Sequence, residues 1–393
     1  MTHVAIDLIG EGLSPAGLLD MLPVVLDADP ELVVTLVAPG DTTASALAER
    51  GIVTGERVHL VAAARGVAPG PDALREVRAR RDAGVRVAAR LVRDGRADAM
   101  VSVAPLEAVL AAARFTFGLV PGATRASAAV TVGAAHSPVV LCDAGGSVDV
   151  TADELAQFAL VAAEWVRLRR GDEPPRIGLL SARPALSDAL RHAADRLLGS
   201  LGLAYVGPVD AGCLRRALSA DAGASGAGAD VGVDVLVTDG FTGDVVLSLL
   251  RGGPAPLWSA AGGGDGRDHD RGRGRLNGTV PDGGVVGATA GEGTVGEAAV
   301  AERGTVEDAV AEGVAGRDTL NPAWPAKDGS DVQGGAIVLG VDGTAVQVDG
   351  PPSGLPAAVA AAVTAARGDL TARVRQAMAT LVDRRRALAG LSG

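Results

Sequence analysis

Three short glycine-rich stretches each follow an apolar run: Gly10-Glu11-Gly12-Leu13-Ser14-Pro15, Asp143-Ala144-Gly145-Gly146-Ser147 and Asp239-Gly240-Phe241-Thr242-Gly243-Asp244. Loops of this kind expose backbone N–H groups. Where such a loop opens a helix, those donors and the helix dipole face an anion. The matching chemistry is the holding of a phosphate or the stabilising of an oxyanion, and it needs no side-chain nucleophile. Each stretch alone also fits a plain chain turn, because short glycine patterns are common. Taken together, the three favour a shared anion-binding crevice.

Other chemistries find less support. The five histidines, His3, His59, His136, His192 and His269, show no ligand spacing, so no metal site is expected. Two cysteines cannot build a disulfide framework, and Cys142 in its apolar run reads as a small buried hydrophobe. Gly10-Glu11-Gly12 lacks the third glycine of a dinucleotide fingerprint, so no nucleotide cofactor is expected. The single lysine, Lys327, lies in a Pro-flanked stretch, which excludes most lysine-based mechanisms. With 36 basic and 47 acidic residues the net charge is −11, a poor footprint for nucleic acid. Aromatics at 2% leave no stacking platform for bases. Arginines at 75, 78, 80, 81, 86, 90 and 93 form a basic segment. It reads either as a face that steers an acidic partner or as a solvated face paired with Glu76, Asp82 and Asp94.

The elements that would position the loops follow from the apolar pattern. Strands are expected over 3–9, 32–38, 58–62, 99–103, 138–142, 176–180 and 234–238. Helices are expected over 18–26, 72–94, 108–115, 153–168, 187–201 and 245–250. This alternation is that of βαβ units, and continuous apolar strands imply a mostly parallel sheet covered on both faces. The loops after those strands could meet in one crevice at their C-terminal ends. Residues 251–332 are Gly-rich and acidic with little apolar periodicity, and residues 219–230 are a smaller stretch of the same kind. Such stretches cannot offset their ordering entropy, so 251–332 is expected as a flexible or disordered insertion. Order is expected to return at a strand from Gly334 and an Ala-rich helical region over 355–388. No signal peptide and no 18-residue apolar span is visible, and a reduced, cytoplasmic setting is expected.

The ordered set of motif blocks resembles the phosphate acyltransferase (PlsX) family of bacterial phospholipid synthesis. The blocks are Asp7-Leu8-Ile9-Gly10 with Pro15, Arg80-Arg81-Asp82 with Arg86, and Gly95 to Ser102. They continue with Pro121-Gly122 and Arg125, Asp143 to Asp149, Gln157-Phe158-Ala159, and Asp239 to Leu247. The resemblance implies a three-layer α/β/α fold of the isocitrate-dehydrogenase-like kind, over 1–250 plus 333–393, and a homodimer. It implies phosphate attack on the thioester of an acyl carrier protein, giving acyl phosphate, with no cofactor. On that reading Ser102, Ser147 and Asp239 are catalytic. Gly10, Ser14, Gly145, Gly146, Gly240, Gly243 and Asp244 surround the phosphate and thioester, and Arg80, Arg81 and Arg86 dock the carrier. Several polar positions depart from the family pattern. Pro105-Leu106-Glu107 replaces Asn-Thr-Gly, Ser147 and Asp244 replace asparagines, and the polar residues of 181–186 and 349–352 differ. These departures keep two alternatives open: a homologue that binds acyl carrier protein or acyl chains without turnover, and an acyltransferase with another acceptor. The acidic stretch at 251–332 implies weak or no contact with an anionic membrane.

Overall fold

All seven residues of Leu32–Ala38 are buried, a pattern that suits only the middle layer of a sheet covered on both faces. The computed structural model describes residues 1–10, 15–133, 138–171, 173–182, 188–219, 232–251, 332–348 and 350–390. Ser14, Asp349 and nearly all of the expected insertion at 251–332 lie outside these residues. The described residues fall within one unit, Met1–Pro254 with Asn321–Gly393.

In chain order the strands are β1 (Thr2–Asp7), β2 (Leu32–Ala38), β3 (Val58–Ala62), β4 (Ala99–Ser102), β5 (Ser127–Val132), β6 (Val139–Cys142), β7 (Ile177–Leu180), β8 (Tyr205–Val209), β9 (Val235–Val237), β10 (Val332–Leu339) and β11 (Ala345–Gln347). The helices are α1 (Pro15–Asp20), α2 (Leu22–Ala28), α3 (Gly40–Glu49), α4 (Ala73–Ala79), α5 (Gly84–Arg93), α6 (Leu106–Phe117), α7 (Ala152–Arg170), α8 (Ala189–Ser200), α9 (Gly212–Ser219), α10 (Gly240–Arg251), α11 (Leu355–Arg367) and α12 (Leu370–Gly390). They surround one sheet in the order β3-β2-β1-β4-β11-β10-β5-β6-β9-β7-β8.

Strands β3, β2, β1, β4 and β11 run parallel, and so do β6, β9, β7 and β8. Between the two sets, β10 and β5 join their neighbours in antiparallel pairings. The two parallel sets therefore point in opposite directions. This corrects the expectation that all three glycine-rich loops leave neighbouring strands of one direction. Alternate residues face opposite layers. Val4 and Ile6 of β1 share a core with α1, α2, α7, α11 and α12, while Ala5 packs with α4, α5 and α6. Beyond β5, residues of α9 and α10 complete that second layer. The result is a three-layer α/β/α fold with a mostly parallel sheet.

Two long helical readings break for local reasons. Residues 72–94 form α4 and α5, interrupted where Ala83 bridges to Arg65 and the Gly84 N–H donates to the Arg65 carbonyl at 2.9 Å. The C-terminal helical region divides at Gly368 and Asp369, where Asp369 takes a φ of 47°. Strand β8 contains Gly207 and Pro208 and did not read as a strand. It is tolerated because it is the last strand of the sheet, where a missing N–H costs no ladder bond.

Candidate functional site

Each parallel set ends in a buried carboxylate that organises the loops around it. At the end of β1, Asp7 is 0% exposed. Its Oδ1 accepts the Ile9 N–H at 3.1 Å, and its Oδ2 accepts the Ser102 hydroxyl from the end of β4 at 2.7 Å. The Ser102 oxygen in turn accepts the Ala104 N–H at 3.1 Å. One carboxylate thus fixes the chain after β1 and, through a serine, the chain after β4. Gly84 starts α5 directly against this carboxylate, and a side chain there would overlap Oδ1. Burial pushes the Asp7 carboxyl up from 3.8 to about 7, although the Ser102 and Ile9 hydrogen bonds oppose the shift.

The second set repeats the device. Asp143, after β6 and a cis Cys142–Asp143 peptide, is also 0% exposed. Its Oδ1 accepts the N–H groups of Ala128 at 2.8 Å and Gly146 at 3.0 Å, and its Oδ2 accepts the Ser147 hydroxyl at 2.6 Å. The Ser147 oxygen accepts the Gly240 N–H at 3.3 Å. Burial raises the Asp143 carboxyl above its usual range against those hydrogen bonds. Gly240 and Gly243 have no room for a side chain, because a Cβ would strike the Ser147 and Asp143 backbone respectively.

Asp239 caps α10. Its Oδ1 accepts the Thr242 N–H at 2.9 Å, and its Oδ2 accepts the Thr242 hydroxyl at 2.8 Å. Arg191 of α8 reaches Asp239 at 2.8 Å, Asp188 at 2.7 Å and the Leu180 carbonyl at 3.1 Å, so it ties α8 to the ends of β7 and β9. Burial disfavours ionisation of Asp239, but the Thr242 N–H and hydroxyl and the Arg191 charge outweigh it and hold the carboxyl below its usual range.

The loops of the two sets meet. Gly10 lies on the Val103 carbonyl, so closely that a Cβ would overlap it. A Cβ on Gly145 would lie 3.4 Å from Leu106 at the start of α6 and 3.7 Å from Asp244 in α10. One on Gly146 would lie 3.3 Å from Leu110. Loops after β1, β4, β6 and β9 therefore form one continuous cluster with the N-termini of α6 and α10. The N–H groups of Gly10, Leu106, Glu107, Gly145 and Phe241 have no acceptor among the described residues. Those of Gly146, Gly240, Thr242 and Gly243 are taken by Asp143, Ser147 and Asp239. The Glu107 carboxylate turns away from the cluster and accepts the Gly70 N–H at 2.9 Å. Asp244 is the carboxylate that remains beside Gly145.

Of the expected site residues, Gly145, Gly146, Ser147, Asp239, Gly240, Gly243 and Asp244 come together, while Gly10 packs on the Val103 carbonyl at the end of β4. Ser102 is wholly buried with its hydroxyl committed to Asp7, so it stands behind the loops rather than facing reacting atoms. The expected carrier-docking arginines are split. Arg80 ends α4, bound to Glu76 at 3.1 Å, and Arg81 lies in the link. Arg86 is in the first turn of α5 with its Nε buried and unpartnered. The motif pattern marked Asp7 only as part of a block and Asp143 as a residue that orients the loops rather than acting as a base, and it did not single out Arg191 or Thr242. The available signal was an acidic residue ending a strand that is otherwise apolar, a position that burial would not allow without partners. Among the described residues, no group of three or more His, Cys, Asp or Glu side chains could hold a metal ion.

The fatty acid synthesis protein family model matches residues 2–214, more than half of the chain. The chain belongs to this family. Relatives within it carry the name expected from the motif blocks. A phosphate acyltransferase of Syntrophobacter fumaroxidans is 30% identical over 281 residues, 70% of this chain and 74% of that one. Another, from Exiguobacterium, is 33% identical over 204 residues, and the match spans only 58% of that relative's length. Among solved structures, a phosphotransacetylase from Streptococcus pyogenes superposes with a TM-score of 0.53 at 14% identity, covering 93% of this chain and 94% of that one. A branched-chain phosphotransacylase from Enterococcus faecalis gives 0.50 at 13% identity, covering 93% and 99%. At such identities these structures establish the shared fold. The family blocks also explain one support of the site. Gln157 accepts the Thr124 N–H at 2.8 Å and donates to the Arg125 carbonyl at 2.5 Å, and Arg125 pairs with Glu154 at 2.9 Å. These contacts join the Pro121-Gly122 turn to α7.

Proposed function

We propose that this chain is an acyltransferase of fatty acid and phospholipid metabolism that moves an acyl group from the thioester of an acyl carrier protein to inorganic phosphate. A phosphate oxygen bonds to the carbonyl carbon, the C–S bond breaks, and the carrier thiol leaves with a proton from phosphate. The observation that carries the reading is the cluster itself. Loops after four strands and two helix N-termini leave the N–H groups of Gly10, Leu106, Glu107, Gly145 and Phe241 without an acceptor among the described residues, and Gly145 packs between Leu106 and Asp244. Such preset donors suit a phosphate and the oxyanion formed when it attacks. The phosphate is its own nucleophile, which fits a site built of backbone rather than of an activated serine or cysteine. The names of the family relatives support the same chemistry.

In this mechanism Gly145, Gly146, Gly240 and Gly243 let backbone approach backbone. Ser102 and Ser147 relay the buried carboxylates to neighbouring amides, and Asp239 aims α10. Arg80, Arg81 and Arg86 are the residues this reading assigns to docking the acidic carrier. A homodimer in the cytoplasm belongs to the same reading and is carried over from the family resemblance. No described helix is long and apolar enough to cross a membrane.

A second reading, carrier or acyl-chain binding without turnover, is favoured by Asp244, whose carboxylate stands beside Gly145 where an anion would sit. The deciding assay supplies the purified chain with a long-chain acyl carrier protein and phosphate and traps acyl phosphate as the hydroxamate. Phosphate-dependent product supports transfer. Carrier binding with no product supports the second reading, and thioester loss without phosphate dependence points to another acceptor.

A further inference from the structure

Three neighbouring strands end in one polar residue each. Asp7 closes β1, Ser102 closes β4 and Gln347 closes β11. Asp7 pairs in register with Ser102, and Ser102 with Gln347, so the three side chains share one face of the sheet. They are 0%, 0% and 6% exposed. Two residues earlier on the same face stand Ala5, Met100 and Ala345, all buried and apolar. The polar row therefore begins where the sheet gives way to the loops.

A buried polar side chain is costly unless its hydrogen bonds are made. This row makes them among its own members and to backbone at the strand ends. Asp7 accepts the Ser102 hydroxyl at 2.7 Å, and the Ser102 oxygen accepts the Ala104 N–H at 3.1 Å. Gln347 donates through Nε2 to the Val348 carbonyl at 2.8 Å and to the Ala104 carbonyl at 3.4 Å. The Val348 N–H donates to the Ser102 carbonyl at 2.8 Å, which keeps Gln347 beside β4. From β10, Gly335 lies so close to the Gln347 carbonyl that a side chain there would overlap it.

Ala104 is thus fixed by both its backbone groups, the N–H by Ser102 and the carbonyl by Gln347. That carbonyl belongs to the peptide that enters Pro105, the N-cap residue of α6. The proline ring locks its own φ, here −53°, so the plane of the Ala104–Pro105 peptide sets the direction in which α6 leaves. Leu106 and Glu107 follow at once, and their N–H groups have no acceptor among the described residues.

We infer that Gln347 is a positioning residue for phosphate: it fixes the Ala104–Pro105 peptide and so aims the first-turn N–H groups of α6 at the anion. The inference rests on the reading of the loop cluster as a phosphate site.

Calorimetric titration of the full chain with inorganic phosphate tests it, together with the KM for phosphate in the acyl phosphate assay. Gln347→Met keeps the length of the side chain but has no N–H to donate. It is expected to weaken phosphate at least fivefold and to raise the KM for phosphate by the same factor. The KM for the thioester and kcat stay within twofold, and circular dichroism stays native. Gln347→Leu takes its place if the methionine variant fails to fold. Gln347→Glu supplies the rescue, because a carboxylate cannot donate and a carboxylic acid can. Its phosphate affinity should come within twofold of the native chain at pH 5.5 and fall below it at pH 8, while the deficit of Gln347→Met is the same at both. Asp7 shares the row and titrates in every variant, so each is compared with the native chain at the same pH. Equal phosphate affinity in the native chain and the folded apolar variant overturns the inference and leaves the phosphate reading standing. A glutamate variant as weak as the methionine variant at pH 5.5 does the same. A native chain that binds no phosphate overturns the reading of the cluster, and the inference with it.

Discussion

Asp7 is a fully buried carboxylate, and its donors among the described residues are the Ser102 hydroxyl and the Ile9 amide. Its folded-state pKa is raised from 3.8 to about 7, so the folded chain holds a proton there that the unfolded chain has lost. The stability this group contributes is complete below about pH 4 and is lost as pH rises through 7. Asp143 adds to the same trend, its carboxyl being raised as well. Asp7→Asn removes the charge: its Oδ1 still accepts the Ile9 N–H, and its Nδ2 donates to the Ser102 oxygen instead of accepting from it. Denaturant melts of the variant and the native chain at pH 5 and pH 8 should therefore diverge, with the variant gaining on the order of 2 kcal/mol in relative stability at the higher pH. Equal differences at both pH values would show that Asp7 is not the titrating group. Asp244 acts in the other direction at the same scale. A unit charge about 4 Å from an anion in water-like surroundings opposes binding by about 1 kcal/mol. Asp244→Asn should accordingly lower the KM for phosphate roughly fivefold in the acyl phosphate assay.

Helix termini hold the site, so their caps control it. Helix α7 starts with a reciprocal pair in which Thr151 Oγ1 accepts the Glu154 N–H at 3.2 Å and the Glu154 carboxylate accepts the Thr151 N–H at 2.9 Å. Thr151→Ala should cost about 1 kcal/mol in thermal or denaturant unfolding. Helix α5 depends on a close approach instead. Gly84→Ala places a methyl on the Asp7 carboxylate and forces α5 away from β1, and about 1–3 kcal/mol of destabilisation is expected. Because Asp7 also sets the loops after β1 and β4, the same variant should lose turnover at temperatures where it is still folded. Activity retained in proportion to the folded fraction would argue against that coupling.

At the scale of the molecule, the sheet reverses direction between its parallel sets, yet the loops of both sets converge because α6 carries Leu106 to Gly145 and α10 carries Asp244 beside them. On the proposed reaction an acidic carrier would have to reach this cluster on a chain of net charge −11, so the local arginines would matter more than the overall field. The double variant Arg81→Glu, Arg86→Glu should reduce kcat/KM for an acyl carrier protein substrate about tenfold and steepen its loss with salt less than in the native chain. A small acyl-pantetheine thioester should be turned over as before. An equal loss with both substrates would place the arginines in the chemistry rather than in docking.

The residues themselves settled much of this protein. Apolar runs such as Leu32–Ala38 and Ala99–Val103 specify buried strands whatever their neighbours, and the spacing of Asp143 to Ser147 and Asp239 to Asp244 was enough to mark loops that bring backbone together. Periodicity and turn chemistry are local properties, written within a dozen residues. Four things were decided only by the fold. The break before Gly84 depends on the Arg65 strand segment, and the close start of α5 at Gly84 depends on a carboxylate 77 residues away in sequence, at Asp7. The placement of Ser102 behind the loops depends on the same carboxylate. The turning of Glu107 toward Gly70 depends on a loop from another βα unit. The pairing of Arg191 with Asp239 depends on β7 and β9 lying side by side. Each of these is a contact between distant segments, and its energy exists only when the chain has closed on itself, so no local pattern records it.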